Sequence, residues 1–493
     1  MADNKRVSAK KARRNKIWGK IAIAAGAVAL VAVILVSYFT STTYYRQKTA
    51  VEIADHDISV AAFNYYYQNA YQNTYSAIQD TYGDYASMLI DTSKPLSEQQ
   101  YSETQTWEDY LTDTTLSNLS EIYAYYDEAV KNGYTLDESA QAEIEEIVEA
   151  ITAAAKRANY SLNNYLGALY GKGVNEKLYR ELLNVVSVAT EYAADVEAGF
   201  TFTAEETEAY YVENSSKIDS VSARLYPISY VTPDEDAEEE EIEDAVTYED
   251  ALALANDGLA AIKSEQDFVD YVLSIVPEES QSKYESSSAT LYNGLSYSSF
   301  NNAELSDWLF DEARTAGDTT VIEGENEVYL VMFVSRSDND YPLVDMRHVL
   351  IAPEKDEDGN LVDGAEDAAK AKAEELYDEW VENGSTEDYF EILANTYSDD
   401  GDGTTGGLYE DIYKGRMVAP IDEWLFGPRK TGDCELIETD YGWHIVYFAG
   451  VGENYKAQLL DTAMRNDAYE AWRTAALEGH EAVTVESGFK LTR

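Results

Sequence analysis

From residue 60 to about residue 215, apolar side chains recur every three or four positions, as in Ile144, Ile147, Val148 and Ile151. That spacing predicts amphipathic helices. They are expected at 60–77, 107–132, 136–158, 162–170 and 174–199, with Ser161 and Thr203 standing where N-caps belong. A short strand and turn at 50–59 lead into the first of them. Past residue 220 the pattern breaks into short β-type runs, at 223–228, 346–351 and 439–447, separated by helical stretches at 250–262 and 365–382. One more amphipathic helix is expected at 455–479, with Leu459, Leu460, Ala463, Tyr469 and Trp472 on one face, and then a short strand at 482–485. Helical and β-type stretches segregate in this way in an α+β chain.

The N-terminus has a different pattern. Eight basic residues, Lys5, Arg6, Lys10, Lys11, Arg13, Arg14, Lys16 and Lys20, precede an uncharged apolar run at 21–39. At about 1.5 Å per residue, its roughly 19 positions nearly span a hydrocarbon core of about 30 Å. The run is expected to be a single transmembrane helix at 21–39, with a cytoplasmic basic tail at 1–20 and everything after it outside the cytoplasm. It is longer than the apolar region of a cleaved signal peptide, and no small-residue cleavage site follows it. No cysteine follows it that could be acylated.

At 493 residues and 45% hydrophobic content, the chain can build several cores. Its 93 acidic residues against 36 basic ones give a net charge of −57, which sets it against nucleic acid as a partner. With Cys434 as the only cysteine, no intramolecular disulfide can form. Tyrosine is abundant, and Tyr65, Tyr66, Tyr67, Tyr71, Tyr75, Tyr82 and Tyr85 crowd the first helix and the turn after it. Two explanations stand: an aromatic core, or an adaptable surface for extended polypeptide.

Two of the four histidines, His348 and His444, lie in the β-type runs that open and close the region 342–450. Between them come Tyr389-Phe390, Ala394, Ser398-Asp399-Asp400, Gly406-Gly407-Leu408, Gly415-Arg416-Met417-Val418-Ala419-Pro420-Ile421 and Trp424-Leu425-Phe426. In that order the series resembles the parvulin family of peptidyl-prolyl cis/trans isomerases. A second, weaker copy lies upstream. Leu305-Ser306-Asp307-Trp308-Leu309-Phe310 parallels Ile421-Asp422-Glu423-Trp424-Leu425-Phe426, and Ala223-Arg224-Leu225 lies over Met346-Arg347-His348. Residues 220–338 are therefore expected to be a degenerate parvulin-like module in which Leu225 and Tyr329 replace the histidines and Asn301 replaces Met417. The acidic run 234–243 within it reads as a solvated loop.

The whole order is similar to the SurA-like and PrsA-like extracytoplasmic foldases. That resemblance implies a helical chaperone domain formed by 50–215 and completed by 455–493, followed by the two tandem modules. It also implies that His348, Asp400 and His444 form the polar catalytic centre, that Met417, Ile421 and Phe426 line the proline pocket, and that Trp424 belongs to the substrate-binding set. Ile421 stands where parvulins usually carry phenylalanine, keeping apolar volume without the flat ring.

Other motifs carry little. The acidic stretches at 356–361 and 400–405 begin like calcium loops, but Leu361 and Thr405 occupy the position that needs glycine, which leaves only weak calcium binding open. No phosphate-binding loop, zinc spacing or nucleophile triad occurs, and no cofactor or metal is expected. His56 and His480 read as ordinary surface residues. The expected function is a membrane-anchored, extracytoplasmic isomerase and chaperone acting on unfolded secreted polypeptides with X–Pro bonds. Two alternatives stay open: a non-catalytic holdase, and a surface adhesion or scaffold protein with parvulin folds as spacers.

Overall fold

The computed structural model describes residues 42–492, apart from 232–245, 287, 357–358, 402 and 404. The expected basic tail, the apolar run 21–39 and the acidic run 234–243 lie outside the described residues. Among the described residues no helix is long and apolar enough to cross a membrane. The chain divides into two compact units, one running to Thr201 and resuming at Arg465, the other Phe202–Met464.

The first unit is helical. Its main helices are Val60–Tyr82, Trp107–Lys131, Glu138–Arg157, Leu162–Tyr170 and Glu176–Gly199. Each starts on a side chain that accepts from its first turn: Ser59, Thr106, Asp137, Ser161 and Asn175. Phe63, Leu111, Leu119, Tyr165, Leu166, Tyr179 and Leu183 are fully buried between them. The tyrosines divide: Tyr65, Tyr66 and Tyr67 belong to the core, whereas Tyr82 and Tyr85 are exposed. A three-stranded sheet closes the unit, with β1 (Thr49–Ile53) between β2 (His56–Ser59) and the C-terminal strand Val483–Thr484.

His56 and His480 are not ordinary surface residues. Both ring Nε2 atoms meet the Asp127 carboxylate, at 2.8 Å and 3.1 Å, so one acid on the helix Trp107–Lys131 serves both β2 and the segment after Arg465.

The second unit holds two four-stranded antiparallel sheets. The first comprises β3 (Ser220–Ser229), β4 (Leu291–Leu295), β5 (Thr319–Glu323) and β6 (Glu327–Ser337), in the order β4-β3-β6-β5. The second comprises β7 (Pro342–Ile351), β8 (Leu408–Ile412), β9 (Cys434–Thr439) and β10 (Gly442–Asn454), in the order β8-β7-β10-β9.

Beyond strand order, the two sheets share particular bonds. Arg224 and Arg347 each extend Nε to a glutamate that opens a helix, Glu265 and Glu387, at 2.9 Å in both cases. The guanidiniums of Arg314 and Arg429 lie 4.9 and 4.8 Å from the ring centres of Trp308 and Trp424. Asp318 and Asp433 accept from Phe333 and Phe448, both at 2.8 Å. The register agrees as well: Leu225 lies opposite Val331 as His348 lies opposite Val446, and Tyr329 opposite Pro227 as His444 opposite Leu350.

Alternation along β7 and β10 gives the second sheet two apolar faces. Val349, Ile351, Ile445 and Tyr447 pack on the helices Ala365–Glu382 and Glu387–Tyr397. Val344, Met346, Val446 and Phe448 face the short helix Ala419–Leu425. His348 and His444, in step with the second set, lie on the same side as that short helix.

Candidate active site

His348 and His444 sit on adjacent strands, two positions apart in register. Their rings are nearly parallel, inclined by 11°, and their Nδ1 atoms are 3.2 Å apart. Each end of the pair continues. His348 Nε2 is 2.9 Å from Asp400 Oδ2, to which the Tyr409 hydroxyl donates at 3.1 Å. His444 Nε2 is 2.8 Å from Thr439 Oγ1.

The protons along this chain follow from its ends. An ionised Asp400 only accepts, so His348 carries its proton on Nε2 and presents a bare Nδ1. His444 must then donate from Nδ1, which leaves its Nε2 to accept from Thr439. The Thr439 hydroxyl still accepts from Tyr441 N at 3.2 Å. Every polar atom is satisfied with both imidazoles neutral, and burial favours the same state. Desolvation lowers His348 below the usual histidine value, against the pull of Asp400. His444 is lowered to about 4, by burial first and by His348 second. Burial and the bond to Asp400 raise the Tyr409 phenol, which keeps it a donor.

Local structure places Asp400 under His348. The Ser398 hydroxyl accepts from Leu350 N at 3.1 Å and from Asp400 N at 3.2 Å, tying the loop to the strand. On the other side His348 N donates to Gly407 O at 3.0 Å. Gly407 has φ +64, and a Cβ there would press into the His348 carbonyl, so glycine is required at 407 by this close approach.

Met417, Ile421, Trp424 and Phe426 gather in one apolar cluster on the face of the sheet that carries the histidine pair. Ile421 is 2% exposed and packs in one cluster with Met346, Val446 and Phe448, with Met417 and Phe426 half-buried at its margin. Trp424 faces the same cluster, its indole N–H donating to Glu435 at 2.6 Å and its ring covered by Arg429. Tyr409 and Thr439 went unnoticed in the sequence. Both follow from alternation: Tyr409 is opposite Met346, and Thr439 is in step with Ile437, the partner of His444. Among the described residues no cluster of histidine, cysteine or acidic side chains is arranged to hold a metal ion.

An antiparallel sheet flanked by helices, carrying paired histidines on the same face as an apolar cluster, is the arrangement of a parvulin-type isomerase domain. Residues 328–450 match the PPIC-type PPIASE domain, so the chain carries a peptidyl-prolyl cis/trans isomerase domain of that type. No curated protein matches the chain. Among solved structures it is similar to the peptidylprolyl isomerase PrsA of Bacillus anthracis, with 17% identity, a TM-score of 0.19 and 29% of this chain covered. The chain spans 60% of that protein's length. PrsA of Bacillus cereus matches with 12% identity and a TM-score of 0.18, over 77% of this chain and 88% of that one.

Proposed function

We propose that the chain is a membrane-anchored, extracytoplasmic foldase that isomerises X–Pro bonds in partly folded secreted polypeptides. Rotation about a prolyl amide faces a barrier of about 18–20 kcal/mol, set by resonance in the planar bond. No bond breaks. A catalyst need only favour the twisted amide, by gripping the ring and offering fixed dipoles to its carbonyl and nitrogen. Met417 and Phe426 supply the grip, backed by the buried Ile421, and the array Tyr409–Asp400–His348–His444–Thr439 supplies dipoles already oriented before substrate arrives. The observation that carries this reading is that array, complete and neutral, on the face shared with Ile421.

Residues 220–338 are, in this reading, a second parvulin-like module without catalysis, because Leu225 and Tyr329 stand at the histidine registers. The chaperone role draws support from apolar residues exposed on the helical unit: Tyr82, Tyr85, Met88, Leu89 and Tyr101. The anchor rests on the basic flank and apolar run at 1–39.

The test is a proline-peptide isomerisation assay on the full chain, with His444→Ala and Met417→Ala. Activity in the wild type that falls at least about tenfold in both variants is expected, since each removes part of the transition-state binding. A wild-type chain that does not accelerate isomerisation, yet suppresses aggregation of an unfolded protein, would establish the holdase instead.

A further inference from the structure

Met417 follows a loop, Tyr413 to Arg416, that is fixed largely from outside its own strands. Lys414 N donates to the Tyr341 hydroxyl at 3.1 Å, and Lys414 Nζ lies 4.4 Å from the Tyr341 ring centre and 5.6 Å from that of Phe426. Gly415 N donates to Asp422 Oδ1 at 2.8 Å, on the helix that carries Ile421. The loop thus touches Phe426 and the helix that carries Ile421, and is held by Tyr341.

It also touches the other sheet. In β4 an extra residue interrupts the pairing with β3, since Val221 faces Leu295 while Ala223 faces Tyr292. The bulge that results holds Asn293 and Gly294, and Gly294 has φ +66. The second sheet repeats the device between β7 and β8, where Val344 faces Ile412 and Met346 faces Tyr409. There the equivalent residue is Asp411, at φ +53.

Positive φ therefore does not by itself demand glycine at this bulge, because Asp and Asn tolerate it. What differs is the neighbour. A Cβ on Gly294 would stand 2.8 Å from the carbonyl oxygen of Lys414, and one on Gly415 would stand 3.1 Å from the backbone of Asn293. Two glycines, one from each sheet, allow main chain to meet main chain. Backbone on both sides cannot swing away as a flexible side chain would.

We infer that Gly294 of the first sheet is a positioning residue for the proline pocket of the second, acting through the Lys414–Gly415 loop on Met417. This rests on the reading of the pocket given above. It assigns the non-catalytic sheet a role in catalysis, as the abutment that sets one wall of the neighbouring site.

The test uses the full chain with Gly294→Asn, which keeps the positive φ and adds bulk toward Lys414. The control is Gly317→Asn, at φ +92 in the same module with nothing within 4 Å of an added Cβ. Isomerisation of a proline peptide is measured for KM and kcat, and amide exchange is measured at Lys414 and Gly415. For Gly294→Asn the KM is expected to rise about tenfold with kcat changed less than about twofold, the pattern of binding lost equally from ground and transition states. Exchange at Gly415 rises with it, and Gly317→Asn changes neither.

A merely destabilised enzyme would instead lose kcat at constant KM, and that result overturns the inference, as does an equal effect in the control. Should Gly294→Asn fail to fold, Gly294→Ala decides. It adds only a Cβ, 2.8 Å from the Lys414 carbonyl oxygen, and a raised KM supports the coupling while an unchanged one refutes it. A wild-type chain without isomerase activity overturns the reading of the pocket itself, whereas an active wild type with an unmoved KM in the variant overturns only the role of Gly294.

Discussion

Lowering the pH from 7.5 to 4.5 should weaken the isomerase domain through His444. The folded chain holds that imidazole at about 4 instead of the ordinary 6.5, chiefly by burial, and the side chain belongs to a residue only 5% exposed. A histidine depressed in this way takes up a proton more readily when unfolded. Its contribution to stability is therefore complete above pH 6.5 and is lost as the pH falls from there toward about 4. At about 1.4 kcal/mol per pH unit the full depression corresponds to at most about 3.4 kcal/mol, of which about 2 kcal/mol is expected by pH 4.5 after solvent screening. His348 is depressed too and loses stability in the same direction, but the shared Nδ1 bond makes the two titrate as a pair.

Because the chain has two compact units, a single melting temperature would mix them. Amide exchange on β7 and β10, compared between wild type and His444→Gln at pH 7.5 and 4.5, isolates the effect. The wild type should lose about 2 kcal/mol more than the variant over that interval. Imidazole 15N spectra from the same samples should show two neutral rings of opposite tautomer, His348 protonated on Nε2 and His444 on Nδ1. Titration of His444 at or above pH 6.5, or equal losses in wild type and variant, would refute the buried neutral pair.

Three further outcomes follow from the same geometry. Gly407→Ala forces a Cβ against the His348 carbonyl at φ +64, and should cost more than about 2 kcal/mol in thermal unfolding of the domain. Tyr409→Phe deletes the donor to Asp400 and leaves the fold intact, at about 1 kcal/mol, with isomerase kcat/KM reduced a few-fold. Asp127→Ala strips His56 and His480 of their common acceptor. It should cost about 1–3 kcal/mol and speed exchange at Val485, whose amide bonds Ala50 O where the C-terminal segment meets β1.

Much of the local structure was legible before any coordinates. The expected helices at 136–158, 174–199 and 365–382 correspond to Glu138–Arg157, Glu176–Gly199 and Ala365–Glu382, because capping residues and three-to-four spacing act within a few positions. The helix expected at 60–77 runs on to Tyr82, carrying the stripe of Tyr71, Tyr75, Ile78 and Tyr82 to its end. Alternation alone put His348 in step with Met346, and His444 in step with Val446. The order of short motifs then pointed to the right chemistry for residues 342–450.

What the sequence by itself determined is periodicity and order: which faces are apolar, where helices start, and which histidines sit on strands. Which long-range partners those residues would take was settled only by folding. With 93 acidic side chains in the chain, nothing local singles out Asp127 for both His56 and His480, and Asp400 was set beside His348 only by the order of motifs around it. Likewise Gly294 looks like any turn glycine until a carbonyl from another sheet is found against it. Hydrogen-bond partners and backbone contacts depend on register, bulges and packing between segments about seventy residues apart, and those exist only once the chain has closed on itself.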